Sequence, residues 1–404
     1  MDLVDEFYAD KDLSLLKKLT LVIPTYNRNY YLSRCLWYHA HFPFGEIIVA
    51  DSSPEEKKVV NRDTVAKVRA RFGANVRYLE YEPETEKYGG DIYRKWGDAV
   101  QHVETEYSQI CTDKEFMLPF TLCQEIAYLE QNLDYVSVES LRCWVDNTNK
   151  NGLVCLLARD FQKSSSINTI NPKERYIQAL TETSTAILIL YRTKIHKKIY
   201  QYLENYNIQD IRFGETLVSI IGYILGKSHH TNETISLCRD VTNLNRSGRI
   251  DTKESTALRY PPISEYKTLG VLNQFYIAYK NCLKDVLTDI LIDDDLSDID
   301  ELILKSDCLI NNTSENGVIS ILYHYVMTHK SIKKIWMQTP RLIKQPIRIL
   351  TGYDDSRWQI NNVPNDVILI EKIIEMTMPF HLVDTDNSLF NTNLKVNLNY
   401  GIIF

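Results

Sequence analysis

Between Leu19 and Thr112 the apolar positions fall in short blocks rather than residue by residue. Leu19-Thr-Leu-Val-Ile-Pro24, Glu46-Ile-Ile-Val-Ala-Asp51, Asn75-Val-Arg-Tyr-Leu-Glu-Tyr81 and Tyr107-Ser-Gln-Ile-Cys-Thr112 each read as a strand. The segments between them, Tyr30 to Phe42, Pro54 to Phe72 and Gly90 to Val103, carry helical spacing, the second with a charged outer face. Strands alternating with helices predict a parallel sheet covered on both faces. Ligands of such sheets lie at the carboxyl ends of the strands, so the residues that follow each strand are the ones to examine.

After the fourth strand the order loosens. Leu118 to Gln131 reads as a helix, Tyr135 to Val145 as extended, Thr185 to Tyr191 as a buried strand. Helices follow over Thr193 to Tyr206 and Phe213 to Leu225, then a strand-like stretch from Glu233 to Cys238. Beyond about Arg249 the pattern is mainly helical, as in Tyr266 to Ile290, Ser297 to Ile310 and Asn316 to His329, and the tail after Asn387 is a strand or a docked arm. The expected division is an N-terminal extension over 1–18, an α/β domain over 19–250 and a mainly α-helical C-terminal domain over 251–404.

With 404 residues, 44% of them hydrophobic and 25% charged, the chain has an ordinary globular composition and room for two or three domains. A net charge of −7 argues against a broad basic field for a nucleic-acid backbone. The eight cysteines include no C-x-x-C pair and sit mostly in apolar runs, as buried thiols in a reducing compartment do. The start, MDLVDEFYADKD, lacks a basic and then apolar leader, and the longest strongly apolar stretch, Leu217 to Leu225, is far short of a membrane span. The expectation is a soluble, cytoplasmic protein.

Three strand ends carry candidate chemistry. Pro24-Thr25-Tyr26-Asn27-Arg28 follows the first strand, and small polar residues at such a turn present hydroxyls and N–H groups to a ligand. Ala50-Asp51-Ser52-Ser53-Pro54 follows the second, with Asp51 able to accept from a base or ribose or to cap the next helix. Thr112-Asp113-Lys114-Glu115 follows the fourth, and two carboxylates spaced i, i+2 can share one divalent cation. Further along, Arg94 and Lys95 are cations that could face a diphosphate. Asp210-Ile-Arg-Phe-Gly-Glu215 opens a helix, and His229-His230 is read as a loop.

Taken in order, PTYNR, ADSS and a D-x-D-like triplet resemble the nucleotide-sugar half of family-2 glycosyltransferases of the GT-A fold, over roughly residues 19 to 240. The resemblance implies a Rossmann-type sheet and an inverting transfer from a nucleotide-sugar donor, UDP-linked, to an acceptor hydroxyl. It implies that Pro24, Thr25, Tyr26, Arg28, Asp51, Arg94, Lys95, Thr112 and Asp113 hold the nucleotide. Asp113 and Glu115 would hold Mn2+ or Mg2+. Glu215, or failing that Asp210, would be the base that deprotonates the acceptor, and His229 or His230 could add a metal ligand. Two positions depart from the family pattern: Lys114 stands inside the acidic triplet, and Thr216 stands where a second acid is common. Acceptors of such enzymes include glycans, lipid-linked sugars, proteins and modified nucleic-acid bases. The alternative is a non-catalytic nucleotide-sugar-binding or scaffold protein on the same fold.

Overall fold

A computed structural model of the chain describes residues 8, 10–83, 92–146, 155–157, 165–182, 187–240, 263–268, 270–291 and 299–312. The expected helix at Asn316 to His329, the tail after Asn387, the boundary near 250 and Lys87 to Asp91 lie outside the described residues.

The strands are β1 (Leu19–Thr25), β2 (Glu46–Asp51), β3 (Val76–Glu80), β4 (Tyr107–Ile110), β5 (Glu115–Met117), β6 (Tyr135–Asp146), β7 (Cys155–Leu157), β8 (Leu190–Arg192) and β9 (Lys227–Asp240). They form one sheet in the order β3-β2-β1-β4-β8-β6-β9-β5, with β7 paired to β6. Strands β1 to β4 are parallel to one another. Strand β8 runs against β4 and β6, and β9 runs with β6. The directions therefore give a mixed sheet in which β5, β7 and β8 oppose the other six.

The helices are α1 (Asn29–His39), α2 (Glu55–Phe72), α3 (Ile92–Gln101), α4 (Pro119–Gln131), α5 (Pro172–Glu182), α6 (Thr193–Asn205), α7 (Ile211–Leu225), α8 (Ile263–Thr268), α9 (Gly270–Ile290) and α10 (Ile299–Asn312). Chain direction reverses across β1: α1 and α2 carry the chain outward to β2 and β3, whereas α3 carries it back to β4 on the other side of β1. Right-handed crossovers then put α1 and α2 on one face and α3 on the other, where α6 and α7 join it. Local chemistry sets the ends. Helix α2 has Glu55 and Glu56 in its first turn, Arg69 and Arg71 in its last, and stops at Gly73 with φ 64°. Helix α4 begins on Pro119, whose missing N–H costs nothing there.

Strands β1 and β2 are buried along their whole length, which is why they read as unbroken apolar blocks. Tyr266, Tyr279, Leu283 and Leu302 of the later helices belong to the same buried cluster as Leu21 and Ile48. No helix among the described residues is long and apolar enough to cross a membrane.

Four sequence expectations need correction. Pro24 does not end β1, which continues to Thr25. Val22 accepts from Cys111 N, so Pro24, two residues on, turns its nitrogen to the same side, where β4 has already finished at Ile110. No ladder bond is lost, and proline fits. His229 and His230 lie inside β9, which starts at Lys227 rather than Glu233. The strand expected over Thr185 to Tyr191 is only Leu190–Arg192, with Thr185 and Ala186 outside the described residues. Strands β5 and β7 and helix α5 were not anticipated.

Candidate functional site

The reversal of strand order across β1 leaves a crevice beyond the ends of β1 and β4, the place where open α/β sheets bind ligands. Asn27 takes φ 53°, a left-handed conformation that asparagine tolerates, and its N–H donates to Ser53 Oγ. That kink turns the next residue back over the crevice. Arg28 donates to Asp113 Oδ1 at 3.0 Å, and Thr25 Oγ1 donates to Asp113 Oδ2 at 2.8 Å. One carboxylate thus joins the ends of the two strands that flank the crevice.

The turn that carries Asp113 is closed by Glu115 N donating to Thr112 O at 2.9 Å. Lys114 is buried with its Nζ 4.7 Å from the centre of the Tyr31 ring, a cation–π contact. Glu115 opens β5 and pairs across the sheet with Arg239 of β9, whose Nε donates to Glu115 Oε1 at 2.6 Å. Glu115 is 1% exposed, and its Oε2 has no hydrogen-bond partner among the described residues. Lys95 reaches from α3 to Thr25 O at 3.1 Å and Ser52 Oγ at 2.8 Å.

Asp51 is 0% exposed. Its Oδ1 accepts from Ser53 N at 2.8 Å, and its Oδ2 accepts from Asn61 Nδ2 at 2.7 Å and Tyr78 OH at 2.5 Å. In this arrangement it braces the Ser52–Ser53 turn and presents no open oxygen. Burial and the facing carboxylate push the Tyr78 hydroxyl far up, so it stays a donor. Pro24 is buried within β1, and Tyr26 and Thr112 are half-buried at the rim of the crevice. Arg94 is exposed and lines a hollow with Leu203, Glu204 and Asn207 at the turn between α6 and α7. It does not join the cluster, because α3 turns only Lys95 inward.

Asp210 is the N-cap of α7: its Oδ1 accepts from Arg212 N and Phe213 N, and its Oδ2 accepts from Tyr266 OH at 2.7 Å. Burial raises its pKa above the usual carboxylate range, against the pull of those hydrogen bonds. Glu215 is the fifth residue of α7, so it belongs to the second turn rather than to an opening loop, and it is half-buried. Gly214 is required by packing: a Cβ there would lie 2.0 Å from the Tyr93 ring of α3. Tyr93 OH also donates to Ile211 O at 2.7 Å. Helix α3 thereby locks the start of α7 with Tyr93 and reaches the strand ends with Lys95.

The histidines do not join this cluster. Glu115 pairs with Arg239, whereas His230 pairs with Glu139, nine positions earlier on β9. His229 stacks on Tyr128 with centroids 3.9 Å apart, and His230 Nδ1 lies 3.2 Å from Glu139 Oε2. Burial lowers the pKa of both imidazoles. Beneath Asp113, Cys35, His39 and Cys111 form a fully buried group with ligand atoms within 4.8 Å of one another. His39 Nε2 accepts from Met117 N at 3.0 Å, which leaves Nδ1 to donate to Cys35 O at 2.8 Å. With both ring nitrogens used, the group ties α1 to β5 and does not fit a metal centre.

Arg239 is the member of the site that sequence reading missed. Its signal was present: it is the cation at the carboxyl end of the apolar run Ile235 to Cys238. It would have been weighed like Arg28 had that run been placed in the same sheet.

No protein-family model matches the sequence, and no curated protein matches it. Among solved structures, the chain is similar to crystal structures of S. aureus TarS 1–349. The first shares 12% identity and a TM-score of 0.38, covering 73% of this chain and 89% of that one. The complex of that protein with UDP gives 14% and 0.39 over 73% and 89%, and the complex with UDP-GlcNAc gives 11% and 0.39 over 74% and 89%.

Proposed function

We propose that the chain is a glycosyltransferase that moves a sugar from a nucleoside-diphosphate donor, UDP-linked, to an acceptor hydroxyl with inversion. The observation that supports it is the meeting of Thr25, Arg28, Lys95, Asp113, Lys114, Glu115 and Arg239 beyond the ends of β1 and β4. Such a cluster suits a phosphorylated ligand, whose oxygens accept from guanidinium and ammonium groups. The nucleoside would lie along the ends of β1 and β2, against the Thr25–Arg28 and Ser52–Ser53 turns.

The sequence resemblance implies Mn2+ or Mg2+ held by Asp113 and Glu115. Three of their four carboxylate oxygens already accept from Thr25, Arg28 and Arg239. The donor set does not fit a two-carboxylate metal site.

In the proposed reaction the acceptor oxygen attacks the anomeric carbon while the bond from that carbon to the diphosphate oxygen breaks. A single displacement inverts the anomeric configuration. The acceptor proton passes to the Glu215 carboxylate, and the charge growing on the departing diphosphate is met by Arg28, Lys114 and Arg239. Asp210 stays out of this chemistry because its oxygens cap α7.

Incubation with a panel of nucleotide sugars tests the reading. Slow release of a nucleoside diphosphate from one of them supports the transferase. Saturable binding with no release favours the non-catalytic alternative, and neither binding nor release would remove the donor site from the account.

A further inference from the structure

We propose that the site holds the donor's diphosphate through its own cations and binds it without a divalent metal. This rests on the reading of the crevice as a nucleotide-sugar site, and it goes further by naming what neutralises the diphosphate.

Consider what a cation between Asp113 and Glu115 would meet. It would stand about 2.0–2.6 Å from a carboxylate oxygen. Those oxygens lie 3.0 Å from the Arg28 guanidinium and 2.6 Å from the Arg239 guanidinium. The ion would therefore sit within roughly 5–6 Å of one arginine or the other, a like-charge approach that weakens ion binding. Metal sites surround their oxygens with neutral or negative groups, so that the ion supplies the missing positive charge. Here each carboxylate is already paired with a cation, Asp113 with Arg28 and Glu115 with Arg239, while the Lys114 ammonium stands over the Tyr31 ring. Lys95 lies farther along the strand ends, on the side of the buried Asp51.

The three cations come from separate parts of the fold. Arg28 stands at the entry to α1, Lys114 in the turn between β4 and β5, and Arg239 near the end of β9. Two planar guanidinium forks and one ammonium present donors that match phosphate oxygens. The carboxylates hold the forks in place before the ligand arrives, which is what preorganisation requires. Glu115 Oε2, buried with no hydrogen-bond partner among the described residues, would accept from a hydroxyl of the donor sugar.

Calorimetric titration with uridine diphosphate, with guanosine diphosphate in a parallel arm, decides the matter. Each is run once in excess chelator and once in millimolar Mn2+. The proposal expects dissociation constants that agree within about threefold across the two conditions. Arg239→Gln and Arg28→Gln should each weaken binding by about tenfold to a hundredfold, the loss of a charge-assisted hydrogen bond. Because either change strands a buried carboxylate, Glu115→Gln is the companion variant. It frees Arg239 from the competing carboxylate and should strengthen binding of uridine diphosphate, which carries no sugar for Glu115 to hold, in chelator. Binding that needs Mn2+ and is abolished by Glu115→Gln would overturn the proposal while leaving the donor site standing. Failure of both nucleotides to bind in either condition would instead overturn the donor reading, and this proposal with it.

Discussion

Asp210 and Glu215 are two carboxylates on one helix start, and they differ in place and burial. Asp210 spends both oxygens on capping and on Tyr266, whereas Glu215 lies one turn further along and half-buried. Glu215→Gln keeps shape and removes basicity. Transfer should fall by about 10²–10⁴-fold with donor affinity and melting temperature nearly unchanged. Asp210→Ala should do the reverse, lowering stability by about 0.5–2 kcal/mol in urea unfolding through the lost cap. Turnover and unfolding measured on both variants separate the roles. If Glu215→Gln turns over like the parent, Glu215 is not the base. At this scale the sequence was informative about residue type and less so about state. Asp51 was legible as an acid at a strand end. That Asn61, Tyr78 and Ser53 would occupy its oxygens was not, because those contacts depend on how α2 and β3 pack.

Elements hold these residues in register, and α3 meets the start of α7 closely at Gly214. Gly214→Ala would drive a methyl into the Tyr93 ring, which cannot give way while its hydroxyl is held by Ile211 O. We expect a loss of about 1–3 kcal/mol from overpacking. Donor binding should weaken as well, because α3 also carries Lys95. Intact affinity in a destabilised Gly214→Ala protein would show that α3 does not couple the two. The elements that sequence reading found, β1 to β4 with their helices, are buried apolar blocks separated by clear helical patterns. Those it missed have physical reasons. Strand β5 is only three residues long, and the start of β9 is polar because its two histidines pack against Tyr128 and Glu139 rather than against apolar neighbours.

At the scale of the whole molecule, burial of ionisable groups makes folding sensitive to pH. Glu125 of α4 is buried and accepts from Ser140 Oγ at 2.5 Å, and burial pushes its pKa up to about 8 against the pull of its serine neighbours. The unfolded side chain ionises near 4.5. Between those values the folded state keeps a proton that the unfolded state releases, so stability falls as pH rises toward 8. Glu125→Gln removes that proton. The stability of the parent relative to the variant should decline by up to about 1.4 kcal/mol per pH unit between pH 6 and 8. A difference that stays flat over that range would place a charged Glu125 in the folded protein. Taking the difference cancels other titrating groups, such as His196, whose burial lowers its pKa to about 3 and so acts on the acid side.

Whether the crevice beyond β1 and β4 takes a nucleotide sugar is tested most directly by a crystal structure of the protein soaked with uridine diphosphate. The diphosphate should lie among Arg28, Lys114 and Arg239, with the uridine against the Thr25–Arg28 and Ser52–Ser53 turns. A nucleotide bound elsewhere on the molecule, with Arg28 and Arg239 still paired to Asp113 and Glu115 and nothing between them, would contradict it.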